Sequence, residues 1–188
     1  MTLQLDGGFA DAPAQSAHAF RALLTALSEP GTIVTLVGAN PPAPLSQAAG
    51  VAALVLLDAT TPVHLAGAHD CAALRGWLTF HTGAPFVGPG EAVFAIGTWE
   101  ALCPVDRFAI GTPEYPDRAA TLIVEMPGLS ADGPVLRGPG IDGTSQLSLP
   151  ETAAFQANRA WFPLGFDAFL TCDAQIAGLP RSTIVGDA

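Results

Sequence analysis

Ala119-Ala120-Thr121-Leu122-Ile123-Val124-Glu125-Met126 is the stretch on which the fold turns. It is a near-continuous apolar run, rich in branched side chains, and reads as a buried strand, as found in sheets covered on both faces. Upstream, Val93 to Ile96 is a short strand, and Trp99 to Ala109 is helical in part, interrupted at Pro104. Pro62-Val63-His64-Leu65 is another short strand. Between these strands Asp70 is placed to cap a helix through Thr79, with Leu74, Trp77, Leu78 and His81 on one face.

Nearer the start, Ala17, Phe20, Leu24 and Leu27 follow helical spacing across Ala14 to Leu27, and Ser28-Glu29-Pro30-Gly31 stops that helix. Thr32 to Val37 is β-branched and reads as a strand. Asn40-Pro41-Pro42-Ala43-Pro44 is a stiff loop. Ser46 caps the next helix, which runs to about Asp58 and is apolar on nearly every face, so it is expected to be buried. Downstream, Val135-Leu136 is expected beside the central strand. Ala153 to Trp161 reads as a helix, and Asp167 to Thr171, Gln175 to Leu179 and Ser182 to Val185 read as strands. Strands alternate with helices over the first two thirds, but the closing strands follow too closely for helical crossovers. The expectation is a single α/β domain over residues 1–188, with helices on both faces of a mixed sheet that has an antiparallel portion.

Composition narrows the function. The 188 residues are 49% hydrophobic, which excludes disorder. The longest apolar stretch, Ala48 to Leu57, falls short of the roughly 20 residues a membrane-spanning helix needs. Met1-Thr2-Leu3-Gln4-Leu5-Asp6 has no basic residue and no long apolar segment, so no signal peptide is expected and the cytoplasm is the default compartment. Cys71, Cys103 and Cys172 are odd in number and lack CxxC spacing, which reads as buried reduced thiols. A formal net charge of −10 argues against nucleic acid. All seven basic residues are arginines. Without lysine there is no Schiff-base nucleophile to hold pyridoxal phosphate as an internal aldimine, and no P-loop lysine for autonomous ATP hydrolysis. Any anion must be met by arginine, backbone amides or helix N-termini.

Three turns carry arginine. Arg137-Gly138-Pro139-Gly140-Ile141-Asp142-Gly143 contains GxGxxG after a strand, but Thr144 to Pro150 does not continue as the helix a dinucleotide site requires. It is either a plain Gly/Pro turn or an anion-binding nest built from Arg137 and the amides of Gly138 and Gly140. Gly111-Thr112-Pro113-Glu114-Tyr115-Pro116-Asp117-Arg118 is either a stiff turn with an Asp117–Arg118 surface pair or a recognition surface presenting Tyr115, Glu114 and Arg118. Leu179-Pro180-Arg181-Ser182-Thr183 is either solvated surface or a phosphate contact through Arg181. His18, His64, His69 and His81 form no metal-binding pattern, with His81 read as a helix-terminal histidine. No GxSxG elbow or paired carboxylates stand out, so no catalytic residue is assigned.

A longer pattern runs through the chain. Gly7-Gly8-Phe9, Ala19-Phe20-Arg21-Ala22-Leu23-Leu24, Pro30-Gly31-Thr32, Leu56-Leu57-Asp58-Ala59-Thr60-Thr61-Pro62 and Trp77-Leu78-Thr79-Phe80-His81-Thr82-Gly83-Ala84-Pro85 come first. Gly111 to Thr121, Leu136 to Ile141, Phe162-Pro163-Leu164-Gly165-Phe166-Asp167 and Leu179 to Thr183 follow. As an ordered set these segments resemble the H-subunit (PhnH) family of the bacterial carbon–phosphorus lyase system. The resemblance implies a fold like that of pyridoxal-phosphate-dependent transferases, reduced in size and without the cofactor. It implies a homodimer that joins the G, I and J subunits in a core complex. With the L subunit, that assembly makes α-D-ribose 1-methylphosphonate 5-triphosphate from ATP and methylphosphonate. Base displacement falls to the I subunit and C–P cleavage to the iron–sulfur J subunit. No catalytic residue is carried over to this chain.

Overall fold

The computed structural model describes residues 6–186; the leaderless reading of Met1 to Leu5 lies outside the described residues. The central run forms strand β4 (Thr121–Glu125), and its side chains alternate between two cores. Leu122 and Val124 point to one face of the sheet and Ile123 to the other, and all three are fully buried. A strand apolar on both sides cannot sit at an open face, so both faces must be covered.

Its neighbours are β3 (Phe94–Thr98) and β7 (Asp167–Cys172), both parallel to it. Beyond β3 lies β2 (Val63–Leu65), also parallel. Beyond β7 the chain turns back at Asp173, whose φ of 50° is left-handed, and β8 (Gln175–Leu179) runs antiparallel. β1 (Ile33–Thr35) closes that edge, antiparallel to β8. The six-stranded order is β1-β8-β7-β4-β3-β2, a mixed sheet with an antiparallel portion, as expected.

Helices α1 (Ala12–Ser28), α2 (Gln47–Leu56) and α3 (Ala72–Thr82) cover one face. Ser46 caps α2, its Oγ accepting from the Ala49 amide at 3.2 Å, and Ala48 to Ala53 are all buried. The other face is covered by α4 (Trp99–Leu102) and α5 (Thr152–Ala160), together with a small sheet of β5 (Val135–Arg137), β6 (Ser145–Gln146) and β9 (Ile184–Val185).

Three expectations are corrected. Val135-Leu136 does not flank β4, because β3 and β7 take both of its edges; β5 instead lies in the small sheet, and Leu136 joins the core into which Leu122 and Val124 point. A two-residue apolar run cannot specify whether it extends a sheet or covers it. Asp70 does not cap α3: the capping position is Cys71, and the Asp70 carboxylate instead pairs with both nitrogens that Arg75 presents to it. The cysteines are partly exposed, not buried. Among the described residues no helix is long and apolar enough to cross a membrane.

Helix α1 lies directly on β8 at Gly178. A Cβ there would stand 2.6 Å from the Ala26 carbonyl oxygen and 2.8 Å from the Leu27 Cα, both main-chain atoms. Gly178→Ala is therefore expected to destabilise the fold by about 1–3 kcal/mol, read by urea denaturation. An unchanged midpoint would show that α1 is not held at this distance.

Candidate functional site

The carboxyl ends of parallel strands are where open α/β sheets bind ligands, because the loops leaving them diverge and open a crevice. Here that edge bears a cleft of about 1030 Å³. Thr98 ends β3, Glu125 ends β4 and Cys172 ends β7, and all three line it. The stiff Pro41–Ser46 loop forms one wall and Ser148-Leu149-Pro150 another.

Glu125 organises this edge. One carboxyl oxygen accepts from the Ser46 amide at 2.7 Å, at the N-terminus of α2; the other accepts from the Thr171 hydroxyl at 3.1 Å. The positive end of the α2 dipole is thus already met by a carboxylate of the chain. Burial pushes the Glu125 carboxyl above its ordinary pKa, opposed by the bonds from Ser46 and Thr171 and reinforced by the Asp173 charge. The hairpin turn is tied to the same place, since the Ala48 amide donates to the Asp173 carbonyl at 2.8 Å.

His69 is the second unusual group. It lines the cleft yet is 2% exposed, and neither ring nitrogen has a hydrogen-bond partner of proper geometry. Burial lowers its pKa; the Pro44 carbonyl opposes this in part. The ring is therefore held neutral, with its N–H near the Pro44 carbonyl and the lone pair of the other nitrogen unused. Trp99 completes the inner wall, its indole N–H donating to Glu151 at 2.9 Å and its ring stacked on Phe155. Glu100 and Asp173 stand exposed among the lining residues, and no arginine is among them. None of these groups was singled out from sequence. Glu125 reads as the polar end of a strand, and only its register beside Thr171 and Ser46 makes it a bridge.

The arginine turns lie elsewhere. Arg181 is committed to the interior: its Nε and main-chain amide both donate to Asp167 Oδ1, at 3.1 and 2.8 Å, and its Nη2 donates to Oδ2. Its remaining nitrogen donates to the Pro116 carbonyl, so this side chain pins the 111–118 loop to the start of β7. Arg118 does not pair with Asp117; its guanidinium lies over the Tyr115 ring, 4.2 Å from the centroid. Tyr115 and Glu114 are exposed beside it. Arg137 is exposed at the end of β5, opposite Ile184 in register. Gly138 and Gly140 have positive φ, 133° and 81°, and a Cβ at Gly140 would fall 1.7 Å from the Ser28 carbonyl oxygen. The glycines thus serve a turn packed on the C-terminal, electronegative end of α1, with Glu29 and Asp142 in the same groove. Arg118 and Arg181 share one loop through Pro116; Arg137 stands apart from them on the small sheet. Among the described residues no group of three or more His, Cys, Asp or Glu could hold a metal ion.

Compared with known proteins, residues 7–186 match the family model described as bacterial phosphonate metabolism protein (PhnH). The chain belongs to the PhnH family. A PhnH protein of Rhizobium meliloti (strain 1021), named alpha-D-ribose 1-methylphosphonate 5-triphosphate synthase subunit PhnH, is 41% identical over 186 residues, covering 94% of this chain and 93% of its own length. A protein of Stutzerimonas stutzeri, named putative C-P lyase subunit protein HtxG, is 30% identical over 193 residues, with the same coverage. The match extends over both the cleft and the arginine turns of this chain.

Two outcomes follow from the site's geometry. Because the folded-state pKa of Glu125 is raised, its contribution to stability is present in full below the ordinary value of 4.5 and is lost as pH rises through the raised value. The difference in unfolding free energy between wild type and Glu125→Gln is therefore expected to move in favour of wild type as pH falls from about 7 towards the unfolded-state value. His69 has the opposite sense but is present in both proteins. A difference independent of pH would contradict a buried carboxyl of raised pKa here. Arg181→Ala is expected to cost about 2–4 kcal/mol, because it leaves the Asp167 carboxylate, mostly shielded from water, with the main-chain amide but without its cationic partner; thermal denaturation checks it.

Proposed function

We propose that this chain is a subunit of the carbon–phosphorus lyase core complex in organic phosphonate catabolism, supporting formation of α-D-ribose 1-methylphosphonate 5-triphosphate from ATP and methylphosphonate. The observation that carries this reading is the near-full-length likeness to a protein named as a subunit of that synthase. In this reading the chain is cytoplasmic, forms a homodimer and joins the G, I and J subunits, and the bond-making and bond-breaking steps belong to its partners. The fold is read as a pyridoxal-phosphate-transferase architecture, reduced and without the cofactor. A six-stranded mixed sheet supports this, as does the absence of lysine from the whole sequence.

A rigid aromatic–arginine surface supports a docking role. Tyr115, Trp161 and Phe162 are each about half exposed, and Arg118 and Arg159 lie over the Tyr115 and Phe162 rings. Phe162 and Pro116 border one groove, so the 111–118 loop and the turn after α5 are adjacent. Aromatic and arginine side chains held in place by stiff turns are favoured interface anchors, because little conformational freedom is lost on binding. Glu114 beside Tyr115 is assigned to the rim of this surface.

Co-expression with the G, I and J subunits tests the reading: the chain is expected to co-purify in a stable complex, and failure to associate across a range of salt would defeat it. Trp161→Ala and Tyr115→Ala, at exposed positions, are expected to leave the melting temperature nearly unchanged and to weaken association at least about tenfold. A second reading, phosphate or nucleotide binding through Arg137, is favoured by one observation: its exposed guanidinium makes no hydrogen bond or ion pair among the described residues. Calorimetric titration of the isolated chain with ATP separates the two. Micromolar binding abolished by Arg137→Ala would promote the second reading, and a flat titration would remove it.

A further inference from the structure

The cleft at the carboxyl ends of β3, β4 and β7 has the shape of a ligand site but the wrong charge for a phosphate. The seat that an anion would take, the N-terminus of α2, is filled by Glu125 through the Ser46 amide. Asp173 and Glu100 add two exposed carboxylates to the lining, and no arginine is there to offset them. The Asp173 charge acts on Glu125, so these two groups feel one another without an intervening cation. A cluster of carboxylates alone would be weak ground. The orphaned imidazole of His69 supplies the independent observation. A ring 2% exposed, with neither nitrogen in a hydrogen bond of good geometry, carries a desolvation cost that the Pro44 carbonyl offsets only in part, and its second nitrogen has no partner in the folded chain. Its lowered pKa leaves it neutral, so it offers a lone pair to a hydrogen-bond donor. Carboxylates and a neutral imidazole acceptor accept from the same kind of partner. The prolines, Leu45, Leu149 and Met126 in the walls suit an aliphatic stem behind a polar head.

We infer that this cleft is a binding site for an organic cation, a guanidinium or primary ammonium group on an aliphatic stem. The head lies among Glu125, Asp173 and Glu100 and donates to the free nitrogen of His69. The stem lies against the proline and leucine wall. The inference concerns the isolated chain and stands independently of its membership in a larger complex. The same chemistry is presented by a free diamine or guanidine and by an arginine or lysine side chain of another protein.

The test is titration of the full-length chain, at fixed ionic strength, with two probes: agmatine, and a capped pentapeptide bearing one arginine. Calorimetry reads affinity, and two-dimensional NMR reads which residues respond. Saturable one-to-one binding is expected for at least one probe, with shifts at the His69 ring and the Ser46 amide. Tighter binding of agmatine identifies a free small-molecule cation, and tighter binding of the peptide identifies a partner's side chain. Asp173→Asn and Glu100→Gln, both at exposed positions and so safe for folding, are each expected to weaken binding about threefold. Glu91→Gln, at the opposite end of β3, is expected to leave affinity unchanged. The inference is overturned if neither probe saturates, if affinity falls equally in the Glu91 variant, if the shifts map away from His69, or if ATP or inorganic phosphate binds this cleft in preference to the cations.

Discussion

A single carboxylate holds the working edge of this protein in place. Glu125 ends the central strand, and its two oxygens join three elements: β4 itself, the start of α2 through Ser46, and β7 through Thr171. The contact exists because β4 and β7 are in parallel register, with Glu125 opposite Thr171, and because the proline loop after β1 delivers Ser46 to that edge. Burial raises the cost of the charge, and the bonds from Ser46 and Thr171 at the helix N-terminus offset only part of it. With that seat taken, the crevice that an open α/β sheet uses for ligands has lost its usual means of holding a phosphate. The chemistry left to it is that of acceptors.

The arginines show the complementary economy. Two of them, Arg75 and Arg181, are tied to Asp70 and Asp167 within the chain. Arg118 and Arg159 lie over aromatic rings that are half exposed, and Arg107 is turned to the Ala101 carbonyl. Cations that a catalyst of phosphoryl chemistry would gather at one point are instead spread over structural joints and an exterior patch. That distribution leaves no cluster of cations at the cleft, and the zero-lysine composition removes a Schiff-base nucleophile from the chain.

Much of the fold was legible in the sequence, because periodicity reports burial. The alternation of Leu122, Ile123 and Val124, the all-round apolar character of Ala48 to Ala53, and the Ser46 cap each specify local structure through contacts within a few residues. The late strands were legible for the same reason, and their close spacing announced the antiparallel hairpin at Asp173. What failed needed distant information. Asp70 has the right residue type for a cap, but Arg75 lies one helical turn on and competes for it. Val135-Leu136 carries no mark that separates a sheet edge from a sheet cover. Arg181 could be read as a phosphate ligand because its partner Asp167 is fourteen residues away. The cleft itself was invisible: Glu125, His69 and Ser46 come from separate segments, and only the sheet brings them to one edge.

The account rests most heavily on Glu125 occupying the N-terminus of α2. A crystal structure of the chain grown in phosphate with excess ATP addresses this most directly. The expected result is the Glu125 carboxylate on the Ser46 amide, with no phosphoryl group in the cleft. A phosphoryl group bound to that amide, with Glu125 turned away, would contradict it.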